Sequence, residues 1–258
     1  MAKPEPAETP VQREQSRERP PLRARVAAAL AQQAVRRNIA QATYGQYQGR
    51  LQAWAELGAS QEWRERARTI RAQTLARLDE YLAVMATNVE QAGGRVHWAA
   101  TAEEARAIIL DIARQSGTSL AVKSKSMVTE EIALNPHLEA AGIEVVETDL
   151  GEYILQLAGE RPSHLVAPAV HKSKEEVREL FSRVSGAELP PDAAVLCAFA
   201  RRQLREKFLR ADMGITGANF VVAESGTVVL VTNEGNGRMI TSLPRVHVAV
   251  MGMERVVP

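Results

Sequence analysis

Cysteine is almost absent: the 258 residues hold one, Cys197, so no disulfide can form within the chain. The signature motifs of several common sites are missing as well. There is no C-x-x-C, no H-E-x-x-H, no G-x-x-x-x-G-K-[ST] and no G-x-G-x-x-G. Five histidines are scattered as His97, His137, His164, His171 and His247, and none has metal-ligand spacing. His97, His164 and His247 lie in apolar runs and read as strand residues; His137 follows Asn135-Pro136, a turn signal. No metal site is expected, and chain order suggests no Ser/His/Asp triad. Charge of one sign is lacking too. A formal net charge of +1 argues against a dedicated nucleic-acid binder. No uncharged apolar run approaches the ~18–20 residues of a membrane helix. Met1-Ala2-Lys3-Pro4-Glu5-Pro6 has no hydrophobic signal core, so the cytoplasm is the expected location.

What is present is an ordinary globular composition, 45% hydrophobic and 24% charged. A chain of this length can bury roughly 70–75% of its unfolded surface, so a core can form without a disulfide or metal staple. Residues 1–21 carry five of the twelve prolines and little apolar content, and read as a disordered tail. Residues 22–92 read as a helical arm of two long helices, from about Leu22 to Tyr44 or beyond and from about Gln61 to Gln91. Leu75, Leu78, Leu82, Met85 and Val89 form a 3-4-3-4 stripe on the second. Arg64, Arg66, Arg68, Arg71 and Arg77 decorate it, as a solvated face or as an anionic partner site.

The pattern changes at Gly93. Arg95–Trp98, Leu120–Lys123, Ile143–Glu147 and His164–Ala167 read as strands. Thr101-x-x-Glu104 and Ser173-x-x-Glu176 are capping boxes, and Asp149 with Glu152 caps a further helix. Strand alternating with capped helix implies right-handed crossovers and a mainly parallel sheet, hence an α/β domain over residues 93–258. A long helix from about Pro191 to Arg210 carries a row of Leu196, Ala200, Leu204 and Phe208. Cys197 beside that row reads as a small buried hydrophobe.

In parallel α/β sheets, ligands bind outside the carboxyl ends of the strands. Those ends carry Lys123-Ser124-Lys125-Ser126, then Thr148 and Asp149, then Pro168-Ala169-Val170-His171-Lys172. Lysines, hydroxyls and helix N-termini suit a carboxylate or phosphate. The same residues are also explained as caps and solvated lysines.

The last fifth of the chain is denser in polar residues. Gly214-Ile215-Thr216-Gly217-Ala218-Asn219-Phe220, Ala223-Glu224-Ser225-Gly226-Thr227 and Thr232-Asn233-Glu234-Gly235-Asn236 read as three glycine turns. Between them Phe220–Val222 and Val228–Val231 read as short strands, and Arg245–Met251 closes the region. Glu224, on a glycine turn with Ser225, Gly226 and Thr227, is a candidate base or nucleophile; a tight hairpin explains it equally. Asn233, Glu234, Gly235 and Asn236 offer carboxamides and backbone N–H groups to a ligand, or form a plain turn.

These turns, with Lys125-Ser126-Met127-Val128, Glu144-Val145-Val146-Glu147-Thr148-Asp149-Leu150-Gly151-Glu152 and Met251-Gly252-Met253-Glu254-Arg255, resemble the lactate-utilisation protein B family from about Leu22 onward. The resemblance implies a LUD domain, similar in fold to the ribose-phosphate-isomerase and CoA-transferase group. It implies a subunit of a complex that oxidises L-lactate to pyruvate, with the other subunits as partners and lactate or pyruvate as a possible small carboxylate ligand. It also favours Glu131 over Glu130 as a site residue. Family members continue into a ferredoxin-like module with cysteine runs. A 4Fe-4S cluster needs four thiolates, so this chain is expected to hold none and to correspond to the LUD half alone. Two other functions stay open: a stand-alone isomerase or CoA-transferase acting through Glu224, and a docking module without chemistry.

Overall fold

The computed structural model describes residues 20–160, 162, 167–232 and 234–258. Most of the expected tail, and His164, Leu165, Val166 and Asn233, lie outside them. Among the described residues four helices come first: α1 (Leu22–Ala31), α2 (Gln33–Leu57), α3 (Ser60–Ala76) and α4 (Leu78–Gln91). Each of the two expected long helices is therefore interrupted, at Gln32 (ψ 77°) and Arg77 (φ −133°). Neither α1 nor α2 buries a residue, so little tertiary packing holds them. The break at Arg77 turns the apolar stripe: Leu75 is exposed whereas Met85 is buried.

The α/β part begins with α5 (Ala102–Gln115), β1 (Leu120–Lys123), α6 (Met127–Glu131), α7 (Leu134–Ala140), β2 (Glu144–Glu147) and α8 (Leu150–Ala158). It continues through α9 (Lys174–Ser185), α10 (Ala193–Arg210), β3 (Met213–Thr216), β4 (Phe220–Val222), β5 (Thr227–Val229), α11 (Asn236–Ser242), β6 (Val246–Ala249) and β7 (Val256–Val257). Thr101 caps α5 through Glu104 N–H, and the full reciprocal box closes at Ser173 and Glu176 ahead of α9.

Four strands form a parallel sheet in the order β2-β1-β3-β6. Side chains alternate across it as a strand requires. Ala121, Val145, Met213 and Ile215 pack with Ile109, Leu134 and Leu138 on one face. Leu120, Val122 and Val146 pack with Tyr153, Phe181, Leu196 and Ile240 on the other. Gly214 faces Ile240: a Cβ there would come within 2.1 Å of the Ile240 carbonyl oxygen, so only glycine lets α11 lie directly on β3. A second sheet, β5-β4-β7, packs against α4 through Met85, Val221, Ala223 and Val256.

The main corrections are local. Arg95–Trp98 pairs with neither sheet; Val96 packs into the cluster around Met85 while Trp98 is exposed. Met213–Thr216 is a central buried strand rather than part of a turn, because Met213 and Ile215 fill the core that the glycines flank. Cys197 is exposed: one position off the Leu196–Phe208 row is about 100° around the helix, enough to reach solvent. His137 lies within α7, and His97 lies in no strand. Of the fourth expected strand only Ala167 is described, and it lies in a bend.

Candidate functional site

The carboxyl ends of β1, β2 and β3 and the start of α11 meet in one crevice, built around Asp149. Asp149 occupies the N-cap position of α8 yet makes no cap hydrogen bond. Its Oδ2 instead accepts from Lys125 N–H at 2.7 Å and from Asn236 Nδ2 at 2.9 Å. Asn236 Nδ2 also donates to Thr148 Oγ1 at 3.1 Å, and that hydroxyl donates on to the Lys123 carbonyl at 2.9 Å. The missing cap comes from a distant residue: Glu234 Oε2 accepts from Leu150 N–H at 3.0 Å. Ser126 caps α6 by accepting from Thr129 N–H, and its Oγ faces Gly217 at the end of β3.

Lys125 and Glu152 add an ion pair, Nζ to Oε1 at 3.1 Å, with Glu152 buried. Burial pushes the Glu152 carboxyl upward and outweighs the opposing pull of Lys125. Glu152 thus serves as the partner of Lys125 rather than as half of a capping box. The Lys125 ammonium has Glu152 as its ion-pair partner, while Asp149 meets Lys125 through the backbone N–H and Glu234 meets Leu150. The Lys125 ammonium is thus paired within the crevice, where Glu152 competes with an incoming anion for it.

A second pair lies between β1 and β2. Lys123 and Glu147 are opposed in the parallel register, with Nζ to Oε1 at 2.9 Å. Lys123 is 1% exposed, and its ammonium also donates to Thr129 Oγ1 at 3.1 Å. Asn135 Nδ2 donates to Glu147 Oε1 at 2.7 Å. Burial raises the Glu147 pKa despite Lys123 and Asn135. Lys123, expected at a solvated strand end, is instead a core cation.

The expected site residues therefore divide. Lys125, Ser126, Asp149, Glu234, Gly235 and Asn236 gather at the sheet edge, and Asn236 opens a helix rather than closing a turn. Glu224, Ser225, Gly226 and Thr227 form the β4–β5 hairpin turn, docked on α4. Asn88 Nδ2 donates to the carbonyls of Ala223 (2.8 Å) and Glu224 (3.0 Å). Gly226 adopts φ +67°, and a Cβ there would fall 2.6 Å from Val89 N. No hydrogen bond or ion pair among the described residues joins this turn to Lys125 or Asp149. Glu224 and Ser225 are exposed, and Glu131 is exposed at the end of α6. His171 and Lys172 pair with Glu160 after α8. Glu147 reaches Lys123 through strand register, and Glu152, Thr129 and Asn135 reach their partners through helix docking, neither of which is written in local pattern.

No group of three or more His, Cys, Asp or Glu among the described residues could hold a metal ion. One exposed cysteine does not fit a cubane cluster. No helix of the described residues is long and apolar enough to cross a membrane.

A parallel sheet with helices on both faces, a polar carboxyl edge and a glycine-rich hairpin after β3 is the frame in which the family match falls. The sequence model of the LUD domain matches residues 82–258, and the chain belongs to that family. Similar relatives include proteins named lactate utilization protein B. That of Shouchella clausii is 55% identical over 204 residues, covering 79% of this chain and 43% of the relative. Those of Bacillus pumilus and Lysinibacillus sphaericus are each 53% identical, over 82% and 81% of this chain and 45% and 44% of the relative. The chain thus spans less than half the length of these relatives. No solved structure matches it.

Proposed function

We propose that this chain is the LUD-domain portion of an iron-sulfur subunit in a complex that oxidises L-lactate to pyruvate. The observation that carries the reading is the identity of 53–55% to proteins named for lactate utilisation, sustained over about four-fifths of the chain. Oxidation of lactate releases two electrons and two protons. In this reading the electrons pass to iron-sulfur clusters outside the matched half, because this chain lacks the thiolates to hold one. The LUD domain supplies the binding surface for the small acid and for the other subunits.

The test uses the protein in its own cells. The chromosomal gene is tagged, the tagged protein is isolated anaerobically with its partners, and L-lactate-dependent reduction of an artificial electron acceptor is measured. Pyruvate formation stoichiometric with acceptor reduction supports the reading. Isolates that transfer CoA or isomerise sugar phosphates, and leave lactate untouched, would replace it with the transferase or isomerase alternative.

A further inference from the structure

A cavity of about 410 Å³ opens on the far side of α11 and shares no lining residue with the Asp149 crevice. Its walls are Val228 and Leu230 from the β5 segment, Thr232 beyond it, Arg238 and Thr241 of α11, and His247 of β6. Each arrives for a structural reason. His247 is in register with Gly214, so it shares the sheet face on which α11 lies. Its Nε2 is fixed by Thr216 Oγ1 at 2.8 Å, a fully buried hydroxyl at the end of β3. Gly237 lets the strand segment close the other wall, since a Cβ there would meet Thr232 Cγ2 at 2.7 Å.

The charges of the two candidate sites contrast. Lys125 is paired with Glu152, whereas among the described residues no carboxylate lines this cavity. The Arg238 side chain is exposed and makes no ion pair or hydrogen bond among the described residues. A guanidinium presents a rigid fork of donors matched to a carboxylate. Thr232 and His247 add hydrogen-bonding groups for an oxygen beside that carboxylate; Thr241 Oγ1, which donates to the carbonyls of Gly237 and Arg238 at 3.1 Å, is left to accept there, and Val228 with Leu230 offers an apolar wall for an alkyl group.

We infer that the cavity between α11, β6 and the β5 segment binds a short-chain 2-hydroxy or 2-oxo carboxylate, its carboxylate held by Arg238. The inference rests on the lactate reading above for the identity of the acid, and on this geometry for its place.

Calorimetric titration of the full 258-residue chain tests it with four probes: L-lactate, pyruvate, acetate and inorganic phosphate. L-lactate or pyruvate should bind more tightly than acetate and phosphate. Arg238→Gln should weaken that binding at least about tenfold, the loss expected for one charge-assisted bidentate pair. Arg238 is exposed, so the variant should keep the thermal midpoint of the parent, and Thr241→Val should weaken binding less. Four results overturn the site: no binding of either acid, equal binding in Arg238→Gln, loss of binding in Lys125→Gln alone, or phosphate bound as tightly as the acids. If the tagged complex oxidises lactate while the chain shows one of these results, the pocket fails and the functional reading stands. If the acids bind through Arg238 but the complex does not use lactate, the reverse holds.

Discussion

Asn236 and Asp149 lie 87 positions apart, and a 2.9 Å hydrogen bond between their side chains ties the start of α11 to the start of α8. That bond, with the Glu234 contact to Leu150 N–H, closes the crevice at the carboxyl edge of the sheet. It also fixes the helix whose other side carries Arg238.

Replacing Asn236 by alanine removes the donors to Asp149 and Thr148. Loss of a buried hydrogen-bonding partner costs about 1–3 kcal/mol. Urea unfolding should show a lower midpoint with an unchanged slope. Asn236→Asp should cost more at neutral pH, since it sets a second carboxylate against Asp149, and part of that extra loss should return on acidification. Equal stability of all three proteins would mean the crevice bonds do not hold α11.

The Lys123–Glu147 pair should behave as a buried ion pair. Lys123→Met strands a buried carboxylate, and Glu147→Leu strands a buried ammonium. Each is expected to cost about 3–5 kcal/mol, with the double variant losing far less than the sum. A double-mutant cycle measures the coupling. Additive losses would show that the two charges do not depend on each other.

Asp212 gives the acid limb of stability a specific source. Its carboxylate accepts from Ser119 N–H and Ser119 Oγ, both at 2.9 Å, and from Leu120 N–H at 3.2 Å. The Ser119 N–H bond is the largest cause holding its pKa below the ordinary carboxylate value. A group depressed in the folded state binds its proton more readily when unfolded. Its contribution is therefore present above about pH 4 and is lost as pH falls through the folded value. The stability gap between the parent and Asp212→Asn should be open at neutral pH and close as pH falls through the folded value. A gap independent of pH would remove Asp212 from the acid limb.

Much of this fold was legible because its signals are local. Capping residues Thr101 and Ser173 and the apolar runs of β1 and β2 announce the alternation of helix and strand. The site was less legible because its contacts follow from register and docking. Lys123 and Glu147 are 24 positions apart, and only parallel pairing sets them side by side. Asn236 reads as a turn residue because it follows Gly235 and because α11, at seven residues, is too short to show a helical period. Glu224 read as reactive from its glycine turn, yet that glycine is needed where the turn backs onto α4 at Val89. Arg238 and His247 stood in no motif, and the cavity they share forms only when α11 lies on β3.

Cys197 offers a quick check of the helix packing. Exposed on α10, it should react with a thiol reagent in the folded protein without prior unfolding. Protection until unfolding would mean that α10 is rotated about its axis, or that the surface around Cys197 is covered.

The most direct measurement of the functional reading is growth of a strain lacking this gene, in a background with other lactate dehydrogenases removed. The expected result is no growth on L-lactate, normal growth on pyruvate, and rescue of growth on L-lactate when the gene is restored. Unimpaired growth on L-lactate would contradict a role in lactate oxidation.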